Sequence, residues 1–516
     1  MNTSDMTGGL SRKPCLAVVR AWLDGMHRHD VVYCHFKSNA EVAAGLGGIT
    51  DMDVLADRRQ KEEVTGQLSA AGFKRFKTAA LMDYPAVDDY LAFDGPTGRL
   101  VHLHLHWQLI AGEPYLKGYH LPWEARLLAG RRLDTKCNVF VSEPEAELVL
   151  LLTRAVLKLR TRDRVRSLLG KAYFQGGLLR EYNWLRQRVD RDRVTKLAAE
   201  MLGERSADLI AAFLQQGEIG DGEILALRRA AIPTLRCYRT YGTVEARLYR
   251  WRREAHNLWG RAVKRWRQPL TVYRRGPIDG GVLIALLGVD GAGKSTLEDV
   301  LVKWLRWKMD VMPVYLGSGD GPRSLTRKMI ERAASFVRRM KSRPADAELT
   351  DAGEGRSVPG ALARASFARR FLRCLLALTI ARERERRLKQ ACRARGRGMI
   401  VITDRFPQNQ FAGYGDGPLL GELIAASGLL GSCARLEREL YERMVRIQPD
   451  LAVKLILPPE VALERKSSTA AEIVRLKAAA VEQLEFGSQT RVVSIDATQS
   501  LEEVVRAAKK AVWDAL

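Results

Sequence analysis

Two groups of residues in this sequence have the types and spacing to do chemistry. The first is Gly288-Val289-Asp290-Gly291-Ala292-Gly293-Lys294-Ser295-Thr296, which satisfies the spacing G-x-x-x-x-G-K-[ST]. An apolar run over 281–287 enters it and a helical pattern over 295–305 leaves it, the setting in which this spacing works. Its glycines let the backbone curl so that N–H groups converge on an anion at a helix N-terminus. Lys294 would then reach the β- and γ-phosphates of a nucleoside triphosphate such as ATP, and Ser295 would ligate Mg2+. Met399-Ile400-Val401-Ile402-Thr403-Asp404-Arg405-Phe406 reads as a buried strand ending in two charges. Asp404 at a strand's C-terminal end is placed to hold Mg2+, and Arg405 to grip an acceptor phosphate. A local Asp404–Arg405 ion pair is the alternative.

The second group is Gly47-Gly48-Ile49-Thr50-Asp51-Met52-Asp53, a glycine turn followed by two carboxylates on one face of a strand. Asp51 and Asp53 at that spacing suit paired metal ions held against a triphosphate. A third carboxylate is expected on a later strand. The candidate, Val101–Leu109, instead carries His102, His104 and His106, all on one face. Three histidines there read either as metal ligands or as a polar, solvated strand face.

The elements that must position these residues follow from periodicity. In 279–516, compact apolar runs (282–287, 312–316, 399–403, 451–457 and 492–495) alternate with helical patterns. That order predicts an α/β fold with a doubly wound, parallel five-stranded sheet. Residues 1–140 read as a smaller α/β unit, and 141–235 as a helical extension opened by a capping box at Ser142-Glu143-Pro144-Glu145. The segment 341–360 reads as a loop. Residues 236–278 form a basic, Trp-rich linker helix: 236–275 hold about twelve Lys and Arg against Glu245 and Glu254. Leu248, Trp251, Leu258, Trp259, Ala262 and Trp266 recur at largely three- and four-residue steps. One face is then apolar and the other basic, which fits peripheral contact with an anionic membrane, or a helix packed on its own domain.

The motifs of 280–516, taken in order, resemble those of thymidylate kinases: the loop G-V-D-G-A-G-K-S-T, the strand end D-R-F, the stretch from Pro449-Asp450-Leu451 to Glu464-Arg465, and the late Ile495-Asp496-Ala497. The resemblance implies a P-loop kinase using ATP and Mg2+, with a nucleoside monophosphate or related phosphorylated small molecule as acceptor. It implies that Asp290 contacts the acceptor, that Arg382 or Arg384 binds its phosphate, and that basic lid groups, Arg465 and Arg475 with Lys477, neutralise transition-state charge. Two departures bear on the acceptor. The segment Pro407–Pro418 lacks the family's thymidine-pocket stretch, leaving Tyr414 without a partner motif, and the lid reads Arg465-Lys466-Ser467-Ser468-Thr469-Ala470-Ala471-Glu472 with shifted bases. Similar divergent domains occur in bacterial proteins of surface-polysaccharide production, where an ATP-binding regulatory or membrane-surface role with degenerate catalytic domains is the alternative. The G…D-x-D-x-L pattern with Phe36-Lys37-Ser38-Asn39 resembles nucleotidyltransferase-fold proteins, which implies that kind of N-terminal domain.

Composition bounds these expectations. A chain of 516 residues with 46% hydrophobic and 28% charged residues builds two or three folded domains. Its net charge of +24 favours phosphates, nucleic acid or anionic surfaces as partners. No helicase or recognised nucleic-acid-binding motif accompanies the charge, so nucleic acid is not the expected partner. The seven cysteines are scattered without a C-x-x-C pair, against a disulfide framework or cysteine zinc site. With no apolar signal core and no run of about 20 apolar residues, a cytoplasmic protein is expected, open to a peripheral position at the inner membrane face. A homodimer stays open.

Overall fold

A computed structural model describes residues 15–79, 83–114, 116–160, 172–217, 219–266, 272–317, 367–414, 416–465 and 471–516, with 162, 163, 169, 327, 329, 331 and 332 between them. The expected loop at 341–360 and lid positions 466–470 lie outside the described residues. The chain divides into two compact units, Met1–Val263 and Lys264–Leu516.

The first unit is built on a mixed sheet. Strands β1 (Tyr33–His35), β2 (Met52–Ala56), β3 (Lys74–Thr78), β4 (Val87–Asp94) and β5 (Arg99–His106) lie in the order β3-β4-β5-β2-β1, continued by Val139–Val141 and Arg132–Asp134. Strand alternation sorts its side chains. Met52, Val54, Val101, Leu103 and Leu105 join Trp22, Leu23, Met26, Val64 and Leu68 in one core, so helices Ala17–Arg28 and Lys61–Ala70 cover that face. The intervening residues Asp53, His102, His104 and His106 therefore turn to the opposite side. There Cys34, Phe36 and Leu55 belong to the core of the helical region, centred on Pro144–Lys158 and helices Gly177–Arg186, Arg191–Leu202, Glu204–Gln216 and Asp221–Leu235.

Pro144 sits in the first turn of its helix, as read, but the N-cap is Glu143 and no side chain caps it. Ser142 Oγ accepts from Asn39 Nδ2 at 3.0 Å, and the Glu143 carboxylate pairs with Arg126 and Arg193, each at 2.9 Å. Ser142, expected as the cap, is thus committed to a tertiary partner, as is the Glu143 that takes the N-cap position.

In the second unit Val282–Gly288, Val311–Tyr315, Ile400–Asp404, Leu451–Ile456 and Arg491–Asp496 form a five-stranded parallel sheet. The Val282–Gly288 strand is central, between Ile400–Asp404 and Leu451–Ile456. Leu283, Ala285 and Leu287 pack with Leu378, Ala381, Leu388, Leu440 and Tyr441, from helices Phe367–Arg395 and Gly428–Val445. Residues 282–287 are buried on both faces, which is why these strands read as unbroken apolar runs. Asp450 ties the sheet together locally: its carboxylate accepts from Leu283 N at 2.7 Å and pairs with Arg395.

Candidate functional site

The loop between the central strand and helix Lys294–Arg306 forms the first site. Gly288 has φ 157°, and a Cβ there would stand 3.1 Å from both Cβ and O of Leu455 on the next strand. A larger residue would push the loop off the sheet. Lys294 is buried and arches back so that Nζ donates to the Val289 carbonyl at 2.8 Å. Burial and then the Arg405 charge lower its pKa to about 8.

Parallel pairing sets Asp404 opposite Leu286, two residues before the loop strand ends. Ser295 Oγ donates to Asp404 Oδ2 at 3.2 Å, while Asp404 Oδ1 is buried and makes no hydrogen bond. Burial raises the Asp404 pKa against the pull of Lys294 and Arg405. A hydroxyl beside a carboxylate oxygen with an unfilled lone pair fits a small, hard, oxygen-seeking cation. Glu298, one turn on from Ser295, is raised to about 7 by burial and by Asp404 and Asp299.

Beside the loop runs a chain of alternating charges. Arg384 Nη2 bonds Asp416 Oδ1 at 3.0 Å, and Asp416 Oδ2 lies 3.6 Å from Arg405 Nη1. Arg405 Nη2 bonds Asp290 Oδ1 at 2.8 Å, and Asp290 Oδ2 accepts from Lys477 Nζ at 3.1 Å. Burial opposes ionisation of Asp290, but Arg405, Lys477 and Lys294 hold it well below the usual carboxylate range. Arg405 and Asp416 both have positive φ, 73° and 65°, conformations side chains rarely adopt and that gather at functional sites. Asp290, Arg405, Asp416 and Lys477 front a cleft lined on its apolar side by Leu287, Phe411, Ala480, Val481 and Leu484. Gln408 shapes its rim, taking the amide of Phe411 and donating to the carbonyls of Phe411 and Tyr414.

The sequence-read residues are distributed unevenly here. Gly288, Asp290, Gly291, Ala292, Gly293, Lys294, Ser295 and Thr296 build the loop and first turn, with Asp404 and Arg405 against it. Arg382 is exposed, whereas Arg384 is buried and also donates to the Leu316 carbonyl at 2.6 Å. Arg475 is exposed, and Lys477 takes the place beside Asp290. Arg465 is exposed and donates to the Ala497 carbonyl at 3.3 Å, meeting the Ile495-Asp496-Ala497 segment. Phe411, not Tyr414, lines the cleft. Asp416 was not singled out from sequence, since its Tyr-Gly-Asp-Gly setting reads as an ordinary turn.

In the first unit the carboxylates and histidines do come together. Gly48 has φ 68° and its would-be Cβ meets the Leu100 carbonyl at 2.9 Å, so glycine lets the turn before Asp51 close on β5. On the sheet Asp53 is in register with His104, and Asp89 of β4 is opposite His104 on the other side. His104 Nδ1 lies 3.2 Å from Asp53 Oδ1, and Nε2 3.2 Å from Asp89 Oδ1. His102 reaches Asp51 at 3.1 Å and Asp89 at 2.8 Å; His106 and Lys37 reach Asp53 at 3.2 and 2.6 Å. The solvated-face alternative is overturned: His102 is fully buried and His106 nearly so, with carboxylates of neighbouring strands paired to them, while His106 Nδ1 is buried without a hydrogen bond. Burial opposes the charge on His104, but Asp53 and Asp89 outweigh it and raise its pKa to about 8; burial lowers His106 to about 4. Asp51, His102 and His104, and separately Asp53, His104 and His106, each bring one ligand atom within 4.8 Å of the others. The third carboxylate beside this cluster is Asp89 of β4, where sequence looked on β5 and found histidines.

The fold and the loop define an α/β protein whose second unit offers a glycine-rich anion cradle. No family model matches the chain. It is 30% identical over 232 residues to the uncharacterized ATP-binding protein YghR of Escherichia coli, a match covering 45% of this chain and 86% of that protein. It is 28% identical over 236 residues to the uncharacterized ATP-binding protein YghS of the same organism, covering 45% and 93%. The chain belongs to the family of YghR. Among the described residues no helix is long and apolar enough to cross a membrane.

Proposed function

We propose that residues 279–516 bind ATP and transfer its terminal phosphoryl group to a nucleoside monophosphate or related phosphorylated small molecule. The carrying observation is the buried, unfilled Asp404 Oδ1 beside Ser295 at the mouth of the Gly288–Lys294 loop. ATP binding is in the names of YghR and YghS, and this loop is the feature here that suits it. Ser295 and Asp404 would hold Mg2+, which when bound neutralises charge on the phosphates. Lys294 leaves the Val289 carbonyl for a phosphate oxygen. Arg405 grips the acceptor phosphate, Asp290 orients the acceptor, and Lys477 places a positive charge near the transferring group. Phe411 and the Ala480–Leu484 side of the cleft supply an apolar wall for a flat acceptor. The test is ADP release by the full chain with dTMP, other nucleoside monophosphates and sugar phosphates. One acceptor should stimulate release at least tenfold, and Lys294→Ala should abolish it. ATP binding with no stimulation by any of them would favour a regulatory ATP-binding module instead.

The first unit supports a second, separate activity of the nucleotidyltransferase kind, resting on the Asp51-Asp53-Asp89 carboxylates gathered around His104. The residues present fit a divalent ion, but two or three imidazoles in the donor set suit manganese, iron or zinc better than magnesium. Such an ion would serve to hold a triphosphate. Cobalt(II) titration should give visible absorption bands lost in Asp51→Asn/Asp53→Asn; a colourless mixture would remove this reading.

A further inference from the structure

The helix Thr243–Trp266 is amphipathic with its apolar face turned outward. Val244, Leu248, Trp251, Leu258 and Trp259 are 63–72% exposed, and Ala255 and Ala262 are exposed with them. Positions 244, 248, 251, 255, 258 and 262 advance by alternating steps of four and three, one stripe along the helix. The polar side is what holds the helix to the first unit. Arg250 bonds Glu113 at 2.8 Å, and Glu254 bonds Arg160 at 2.8 Å. The Arg253 guanidinium lies over the Tyr84 ring, 5.7 Å from its centroid. The helix is thus held on its own unit, as one reading had it, but by its polar side, which leaves the apolar stripe exposed.

We infer that this helix is a docking surface for an anionic lipid bilayer, lying in the plane of the headgroups. Charge selects the occupant. Arg247 and Arg252 are exposed and, at 100° per residue, fall on opposite flanks of the stripe. Of the two acids in 236–275, Glu254 is consumed by Arg160. Leu and Val can enter the acyl boundary, Trp sits at its edge, and flanking arginines meet lipid phosphates. A second copy of the helix would set basic flanks against basic flanks, and a nucleic acid would leave the aliphatic stripe in water. The inference is independent of what the phosphate loop does.

The test is flotation of the full chain with vesicles of phosphatidylcholine alone or with 30% phosphatidylglycerol. Binding is expected to the mixed vesicles, with a blue shift of tryptophan emission, and to weaken steeply as salt rises. Trp251→Glu/Leu258→Glu should lower partitioning at least tenfold without changing the melting temperature, since both side chains are exposed. Arg247→Glu/Arg252→Glu should lower it and flatten its salt dependence. No wild-type binding to the mixed vesicles, or undiminished binding by Trp251→Glu/Leu258→Glu, would overturn the inference. So would a dimer dissolved by that variant, or duplex DNA retaining the chain more tightly than the vesicles do.

Discussion

The two polar sites differ in how far the protein pairs their charges, although His106 Nδ1 of the first is also buried without a hydrogen bond. Around His104 of the first unit, carboxylates and bases close on one another: Asp53 alone receives Lys37, His104 and His106. At the phosphate loop, Asp404 Oδ1 is buried without a hydrogen bond, Lys294 is spent on a backbone carbonyl, and Arg405 holds a disfavoured backbone conformation. The first arrangement supports its own fold. The second carries unmet bonding capacity and strain, which local stability does not explain and which the proposed ligand would. Removing a charge should therefore cost stability in one unit and activity in the other.

Asp404→Asn gives the largest expected effect on that contrast. Acceptor-stimulated ADP release should fall at least about 100-fold, while the melting temperature holds or rises, because the substitution removes a carboxylate whose ionisation burial already disfavours. A melting temperature lowered by many degrees would place Asp404 with the structural groups. Asp53→Ala should do the opposite, costing on the order of 3 kcal/mol in urea unfolding of the first unit by stranding Lys37 and His104, with the phosphate-loop activity retained. An unchanged urea midpoint would break the comparison. The smallest effect is a pH dependence. His104 is raised to about 8 from an ordinary value of 6.5, so folding favours its protonated form. Its stabilisation is full below about 6.5 and is lost as pH rises through about 8, on the order of 1–2 kcal/mol. His104→Gln should flatten unfolding free energy between pH 6.5 and 8.5; a slope equal to wild type would remove His104 as its source.

What the sequence showed, and what it hid, follows from how far apart the cooperating residues lie. The phosphate loop is legible because its glycines, Lys294 and Ser295 are contiguous and their backbone is the site. The three inner parallel strands are legible because burial on both faces leaves unbroken apolar runs, whereas the edge strand Arg491–Asp496 is largely exposed. Helix phase is not legible. Sequence left Arg382 and Arg384 open as one pair and Arg475 and Lys477 as another, and the charge chain beside the loop takes Arg384 and Lys477. The members of each pair are two positions apart, and at 100° per residue two positions reverse the side of a helix. Asp89 escaped because Val87-Asp88-Asp89-Tyr90 lacks clean alternation, although its strand pairs fully with β5. For Thr243–Trp266 the period reveals a stripe without saying which side faces the protein. That side is decided by Glu113, Arg160 and Tyr84, far away in sequence.

Arg405 has a further consequence. At φ 73° its backbone would be more comfortable as glycine, by about 1 kcal/mol. On the function proposed above, the position sets two demands against each other: the fold asks for a residue without a side chain, and an acceptor phosphate would ask for a guanidinium. In a lineage where the chemistry lapses, the second demand disappears and the first remains, so drift should run toward Gly or Asn. The residue found at this place in a relative then serves as a historical record, readable without any assay, of whether its phosphoryl-handling site is still in use.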